Sequence, residues 1–379
     1  MGKYRRRKLQ NICSTGGRTY MLIGNQIPVI PQDYLGAKGH FFVGGSVKGS
    51  PDKHYYAGQM YVEVYVPRKV LHPYPLIFFH GAGQNNANWQ QTPDGRMGWA
   101  DYFVSQGYTV YLAEQPARAR SAYHPETDGP QIYAPIEKLL RRFTSSKGNW
   151  KRARLHTQWP DGEKKEQSPI FQQFARAQVE YLPSNKHSQQ LVQAAAGELL
   201  KKTGPAILTT HSQAGPFGWN LADAYPDQVK GILAIEPSGP PFSNGVTQEA
   251  VPNYGISELP LHFDPPVKPG ENFAAWRESS NQELKSGWVM KEPAHKLVRL
   301  SGIPILLLVS EASYHAEYDH LTSYFLTQAG VPHDFIRLED KGIHGNGHMM
   351  MLEKNNLEIA ELLQQWIIKH IEQEENHHG

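Results

Sequence analysis

The feature that most constrains the fold is an alternation of short apolar runs with longer stretches of helical period, which begins near residue 38. This alternation is typical of a mostly parallel sheet with helices on both faces, so the sequence predicts an α/β fold. The apolar runs predict eight strands, at residues 41–43, 60–66, 76–80, 109–113, 206–210, 232–235, 305–309 and 334–338. The first two strands leave no room for a crossover helix, so we expect them to pair antiparallel at one edge of the sheet.

Two segments interrupt the alternation and define the predicted domain organisation. Residues 119–203 carry no buried-strand signal but include a helical pattern at 189–202, which predicts a cap over the sheet. Residues 237–300 are rich in proline and glycine and predict an irregular, ordered excursion. We therefore predict an N-terminal extension at 1–37, one α/β domain at 38–370 that contains both insertions and ends in an amphipathic helix at 356–370, and a polar tail at 371–379.

Composition excludes several classes of protein. Of the 379 residues 39% are hydrophobic, which is too many for a disordered chain. The formal charge of +2 predicts neither a nucleic-acid partner nor a membrane partner. We interpret the basic stretch at 147–154 as solvated surface, because acidic residues follow it at 161, 163 and 166. The single cysteine, Cys13, excludes an intrachain disulfide and a multi-cysteine metal site.

The sequence also bears on the compartment. No apolar run reaches the roughly eighteen residues that a membrane span needs. The basic start at residues 3–8 leads into a polar stretch without the apolar core of a secretory signal, and Arg6 stands where a myristoylation signal needs Ser or Thr. We therefore expect a cytoplasmic protein as the chain stands, or an exported one from which a leader has been removed.

The most informative motif is a serine at the end of an apolar strand. Residues 206–211 run directly into Ser212, and a helical stretch follows from Gly215. A serine at a sharp strand-to-helix turn exposes its hydroxyl at the carboxyl edge of the sheet, as a nucleophile elbow does. Thr210 and Ala214 stand two positions before and after it, where glycine is common. The pattern predicts a nucleophile with two imperfect flanking positions.

A glycine-containing loop follows an earlier apolar strand. The residues after His80 are Gly81, Ala82 and Gly83, which allow the backbone to approach a ligand closely. We expect the amide of Ala82 or Gly83 to join that of Gln213 in binding an oxyanion. His80 itself is interpreted as holding the loop rather than transferring protons.

A serine hydroxyl needs a general base, which two histidines after the last strand could supply. We favour His348 over His344, because the apolar run 349–352 follows His348 and would anchor it against the core. An alternative is that the two histidines bind a metal. Gly345 and Gly347 disfavour the helix that such a pair needs and no third ligand is evident, so we predict no metal and no cofactor.

The third member of a triad must accept the other imidazole N–H. Glu236 directly ends an apolar strand and precedes Pro237. A charge at the end of a wholly apolar strand is costly unless it has a partner, which favours Glu236. The alternatives follow the next strand, where many members of such folds carry the acid; they are Glu311, Glu317 and Asp319.

Taken together, these motifs resemble the α/β-hydrolase superfamily, and within it a group of bacterial carboxylesterases with a Ser-His-Glu triad whose Glu follows the sixth strand. The segments that carry the resemblance are residues 92–99, 119–121, 210–213, 235–237, 344–351 and 355–357. The resemblance implies an α/β-hydrolase fold, the triad Ser212, His348 and Glu236, esterase activity and a homodimer.

From these residues we expect a serine hydrolase that cleaves a carboxylic ester or lactone of a hydrophobic small molecule through an acyl-enzyme. Aromatic residues in the insertions favour a hydrophobic pocket as much as they favour simple packing; they are Tyr123, Tyr133, Trp159, Phe263, Phe273, Trp276 and Trp288. The alternatives are hydrolysis of an amide or a C–C bond by the same triad, and a non-catalytic homologue that binds a small molecule.

Overall fold

The computed structural model describes residues 12–14, 17–22, 27–144, 150–162, 166–245, 250, 254–268 and 270–373, the first two ranges as backbone alone. The rest of the predicted N-terminal extension and polar tail, residues 147–149 of the basic stretch and the acidic residue at 163 lie outside the described residues. The strands in the described ranges are β1 (Ile12–Ser14), β2 (Gly17–Leu22), β3 (Ile27–Val29), β4 (Leu35–Lys48), β5 (Tyr55–Pro67), β6 (Leu76–Phe79), β7 (Val110–Glu114), β8 (Ala206–His211), β9 (Val229–Ile235), β10 (Ala274–Arg277), β11 (Gly287–Met290), β12 (Ile305–Val309) and β13 (Asp334–Arg337).

Eight of these strands form the central sheet, in the order β13-β12-β9-β8-β6-β7-β5-β4. Strand β5 pairs antiparallel with both β4 and β7, and every other neighbouring pair is parallel. The predicted α/β class, the eight strands and the antiparallel edge pair are therefore confirmed. Strands β6, β8 and β12 are buried along their whole length, which explains their continuous apolar runs.

The predicted bounds of the edge pair were wrong, and two small sheets were not predicted. Strand β4 spans 14 residues and β5 spans 13. Most of β4 is exposed and it contains several glycines, so its apolar pattern covers only the middle of the strand. Strands β1–β3 form a separate three-stranded sheet, and β10 and β11 form a hairpin inside the second insertion. The second insertion is therefore more regular than the sequence predicted.

The α-helices in the described ranges are α1 (Ala87–Gln90), α2 (Trp99–Ser105), α3 (Pro125–Asp128), α4 (Ile136–Leu139), α5 (Pro169–Arg176), α6 (Asn185–Thr203), α7 (Gly215–Ala224), α8 (Asp319–Gln328) and α9 (Asn356–Ile367). A π-helical turn, Leu140–Thr144, continues α4, and another, Ile368–Glu372, continues α9. The predicted helices at 189–202 and 356–370 are thus present. Within the described residues no helix has both the length and the hydropathy to cross a bilayer.

Two apolar cores cover the two faces of the central sheet. Helices α6 and α7 pack on one face, where Leu199 and Phe217 belong to the first core. Helices α2 and α9 pack on the other face, where Trp99 and Leu363 belong to the second core. Helix α6 contacts β4 and β5, so this end of the predicted cap belongs to the layer on the sheet. Since both faces are covered, the carboxyl edge of the parallel strands is left for a site.

Candidate active site

Ser212 stands at the sharp turn between β8 and α7. Its φ is 56°, in the left-handed region that non-glycine residues seldom adopt. Gly81 lies directly against it, since a Cβ added at Gly81 would come within 3.0 Å of the Ser212 Cβ. The backbone N–H of Ser238 donates to the Ser212 carbonyl at 2.8 Å. This is the backbone conformation of a nucleophile elbow, held by two neighbouring loops.

The elbow requires a small residue at Gly215. A Cβ added there would lie 2.3 Å from the Cβ of Pro237 and 2.7 Å from its Cα, so α7 packs directly on the turn that follows β9. Thr210 and Ala214, the two imperfect positions of the sequence motif, are both fully buried without such a conflict. In this turn it is therefore position 215 that must be glycine, so that α7 can pack closely against Pro237.

Glu236 lies in that neighbouring turn, at the end of β9. It is completely buried and has a φ of 43°, a second left-handed residue beside the first. Its Oε1 accepts from the Ser310 backbone N–H at 2.8 Å and from the Ser310 hydroxyl at 2.6 Å, and its Oε2 accepts from the Ser313 hydroxyl at 2.6 Å. Burial raises the pKa of Glu236, and the nearby His315 and the two serines oppose that rise. The carboxylate is fixed in position before any substrate binds.

His348 lies in the loop after β13, with Nδ1 2.5 Å from Oε2 of Glu236. When Nδ1 donates to this carboxylate, Nε2 is left as the basic nitrogen. Burial lowers the pKa of His348, and the positive charges that His315 and Arg142 can carry lower it further. The ring is therefore neutral at neutral pH and able to accept a proton.

The competing side chains of the sequence analysis lie elsewhere. The His344 side chain is 61% exposed and its Nδ1 is 3.2 Å from Oε1 of Glu311. Asp319 is buried, with Oδ1 2.9 Å from Nδ1 of His315. Neither Glu311 nor Asp319 forms a hydrogen bond with His348 among the described residues. The structure thus pairs His348 with Glu236, as placement at the strand ends predicted.

Ser212 and His348 line the same small cavity, together with Tyr314. No hydrogen bond joins the Ser212 hydroxyl to His348 in the part of the chain that the structure describes. Burial raises the pKa of Tyr314, whose hydroxyl interacts with the Ser212 side chain. Rotation of the serine about χ1 turns its hydroxyl between these neighbours, and catalytic hydrogen bonds often tighten only when substrate binds.

The predicted oxyanion residues lie on two loops that Arg118 links. Its Nη1 donates to the Gly81 carbonyl at 2.9 Å and its Nη2 to Oε1 of Gln213 at 3.2 Å. Ala82 lines the cavities beside Ser212, whereas Gly83 lines neither of them. Among the described residues the Ala82 amide has no acceptor, so it is free to donate to a ligand. Of the two amides predicted from sequence, Ala82 is therefore the better placed.

Two connected cavities open at Ser212. The inner cavity has a volume of about 50 Å³ and lies beside His348, between Leu139, Phe143 and Met349. The outer cleft has a volume of about 380 Å³ and extends toward the second insertion at Ser238 and Pro240. A small chamber joined to a larger cleft suits a substrate whose two sides differ in size.

The aromatic residues that the sequence offered as pocket candidates do not line these cavities. Trp159, Phe263 and Phe273 are buried in the cores, and Tyr133 and Trp276 are exposed. The rings that do line the cavities are Phe143, Tyr181, Tyr314 and Tyr318. The packing interpretation therefore holds for the buried members of the first set.

Comparison with known proteins assigns the chain to a family. It is 42% identical over 334 residues to a protein named probable secreted lipase phiG, from Fungal sp. (strain ATCC 74256), across 87% of this chain and 89% of that protein. The chain belongs to the α/β-hydrolase superfamily. A solved structure described as a novel bacterial esterase shares the fold, with a TM-score of 0.60 and 23% identity over 91% of this chain and 99% of that one. No protein-family model matches the sequence.

This α/β-hydrolase carries a second buried histidine beside His348 that sequence reasoning missed. The His315 ring stacks on His348 with centroids 4.8 Å apart and planes 7° apart. Burial lowers the pKa of His315 to about 4. The available signal was a histidine and an aspartate four residues apart, after the end of an apolar strand. Asp319 had been considered only as an alternative acid for the triad, and His315 not at all.

A metal site is the alternative interpretation of this cluster. Ligand atoms of Glu236, His315 and His348 all lie within 4.8 Å of one another. However, Nδ1 of His348 and Oε2 of Glu236 are at hydrogen-bonding distance, and Nδ1 of His315 is occupied by Asp319. The Glu236 and His348 side chains therefore already bond to each other, as in a Ser-His-acid site of an α/β-hydrolase.

Proposed function

We propose that this α/β-hydrolase hydrolyses a carboxylic ester through an acyl-enzyme formed on Ser212. The observation that carries the proposal is the buried Glu236–His348 pair, whose histidine lines the same cavity as a left-handed serine at the end of β8. The relative named as a probable lipase supports ester hydrolysis in preference to other hydrolase chemistry.

In the first half-reaction the Ser212 oxygen attacks the ester carbonyl while Nε2 of His348 takes its proton. Glu236 stabilises the resulting imidazolium, and the amides of Ala82 and Gln213 bind the oxyanion. Collapse of the tetrahedral intermediate breaks the C–O bond, and His348 returns the proton to the departing alcohol. In the second half-reaction water, activated by His348, cleaves the acyl-serine and releases the acid.

The lining of the inner cavity supports a substrate with a hydrophobic portion. Leu139, Phe143, Tyr314 and Met349 present apolar surface around Ser212. An open-chain ester and a lactone are hydrolysed by the same steps, and we include both as substrates.

We also propose that the protein is exported, in view of the relative's description as secreted. We further propose that it forms a homodimer and has no nucleic-acid partner. Two residues of the basic stretch support the last point, since Arg152 pairs with Glu339 and Lys151 lies near Glu283.

The proposal is tested with p-nitrophenyl esters of rising acyl length and with aromatic lactones, on the wild type and on Ser212→Ala. We expect ester turnover by the wild type and a loss of roughly a million-fold in Ser212→Ala, by analogy with other triads. Near-normal turnover by Ser212→Ala contradicts the assignment. The variant Ser301→Ala is the matched control, because its hydroxyl donates to the Val298 carbonyl on the exposed surface.

The rival functions predict different results in the same assay. An amide hydrolase would also cleave the corresponding p-nitroanilides, which the proposed esterase leaves intact. A carbon–carbon hydrolase would turn over neither series. A non-catalytic binding homologue would also turn over neither and would not react at Ser212 with a fluorophosphonate.

A further inference from the structure

Two cationic side chains stand at the junction of the two cavities. Lys138 lies in α4 and Arg142 in the π-helical turn that continues it, one helical turn apart. Both are half-buried, and both line the inner cavity and the outer cleft together with Ser212. They therefore face the space that a substrate must occupy.

Neither cation has a counter-charge within the described residues. No carboxylate there lies within ion-pairing distance of Lys138 or Arg142, and the inner cavity has no acidic residue in its lining. The one acidic residue of the outer cleft, Glu258, is engaged by Asn185 and Lys186. Burial lowers the pKa of Lys138, and repulsion from Arg142 and Arg141 lowers it further.

The surroundings hold Arg142 in place without neutralising it. Its guanidinium lies 5.4 Å from the ring centroid of Tyr314 and 5.9 Å from that of Phe143. Aromatic faces attract a cation but leave its N–H groups free to donate. Two neighbouring cations in a partly dehydrated pocket repel each other until an anion binds between them.

We propose that the substrate carries a carboxylate, which Lys138 and Arg142 bind while the ester carbonyl lies at Ser212. A fork of guanidinium N–H groups beside an ammonium matches a planar carboxylate. The carboxylate takes no part in the bond changes, so the reaction remains ester hydrolysis. This inference rests on the proposed function and names the substrate class within it. The two cations lie on the wall shared by both cavities, so the carboxylate can belong to the acyl or the alcohol side.

Matched pairs of esters test the proposal. On the acyl side the pair is p-nitrophenyl hydrogen glutarate and its methyl ester, and on the alcohol side 3-acetoxybenzoate and its methyl ester. We expect kcat/KM to favour the anionic member about tenfold or more in at least one pair, as for a charge-assisted contact. Arg142→Gln and Lys138→Gln should each lower that ratio about tenfold.

Arg141→Gln is the control, since it removes the same charge from an exposed neighbour that lines neither cavity. We expect it to change the ratio by less than about twofold at physiological salt, where exposed charges are screened. A preference for the neutral ester in both pairs overturns the proposal. So does a ratio that neither Arg142→Gln nor Lys138→Gln alters.

Binding to the Ser212→Ala protein separates this inference from the proposed function. Calorimetry compares the anionic member of each ester pair with its methyl ester, whether or not the wild type turns either over. Tighter binding of the anion, lost in Ser212→Ala/Arg142→Gln, supports the carboxylate site even if ester turnover is absent. Equal affinities within both pairs overturn the carboxylate site while leaving the proposed esterase intact.

Discussion

At the scale of single residues, Glu236 and His348 are 112 positions apart and meet at 2.5 Å in a fully buried setting. We expect Glu236→Gln to lower kcat by roughly 10³–10⁴-fold, the effect of removing a buried triad carboxylate elsewhere. The matched change is Glu311→Gln, whose carboxylate binds the exposed His344 and the Gly345 amide. Steady-state kinetics on the two variants identify which carboxylate is the acid of the triad. A larger loss in Glu311→Gln would contradict the pairing seen here.

The pH profile reports the protonation of His348. Burial lowers its pKa below the ordinary 6.5, so the neutral, basic form persists as the pH falls to values below 6.5. We expect the acidic limb of kcat/KM to have its midpoint below pH 6.5. A midpoint above 6.5 would show that Glu236 stabilises the imidazolium more than burial disfavours it.

His315 is a positioning residue in this account, because it stacks on His348 and can place a positive charge beside it. We expect His315→Asn, whose amide can still donate to Asp319, to move the acidic limb of kcat/KM to higher pH. The sign follows because His315, whose pKa burial lowers to about 4, gains a positive charge only toward the acidic end of the profile, and removal of that charge raises the pKa of His348. A purely structural role would lower activity without moving the limb.

At the level of helices and strands, the sequence predicted those strands of the central sheet that are buried on both faces, because burial on both faces requires a continuous apolar run. Strands β8 and β9 are buried along almost their whole length, so their composition alone identifies them and places Ser212 and Glu236 at strand ends. Strand β4 is largely exposed, and its bounds could not be read from hydropathy. The cavity lining could not be predicted either, because Phe143 lies in a π-helical turn and Tyr181 in a loop, and the position of both depends on tertiary contacts.

The contact of α7 with the turn after β9 gives a prediction for this element pair. We expect Gly215→Ala to destabilise the fold by about 1–3 kcal/mol, because the new methyl group would meet the backbone and ring of Pro237. Gly302→Ala is the control, since a Cβ there meets nothing within 4 Å. Urea midpoints measure both changes. Equal midpoints would mean that the Gly215 contact relaxes without cost.

At the scale of the whole molecule, both cores pack on the same eight strands. Neither face can be lost without exposing the apolar surface of the shared sheet, so we expect the two layers to unfold together. Hydrogen exchange followed by mass spectrometry in increasing urea should show α7 and α9 losing protection over the same range. A separate, earlier loss in either helix would contradict a single cooperative unit.

In the proposed triad the fold activates one serine, Ser212. Treatment with a fluorophosphonate, followed by peptide mapping, measures this activation directly. We expect one adduct per chain, on Ser212, with loss of ester hydrolysis in proportion to labelling, and no adduct on that peptide in His348→Gln. Labelling at another residue, or full ester turnover by protein completely modified at Ser212, would contradict it.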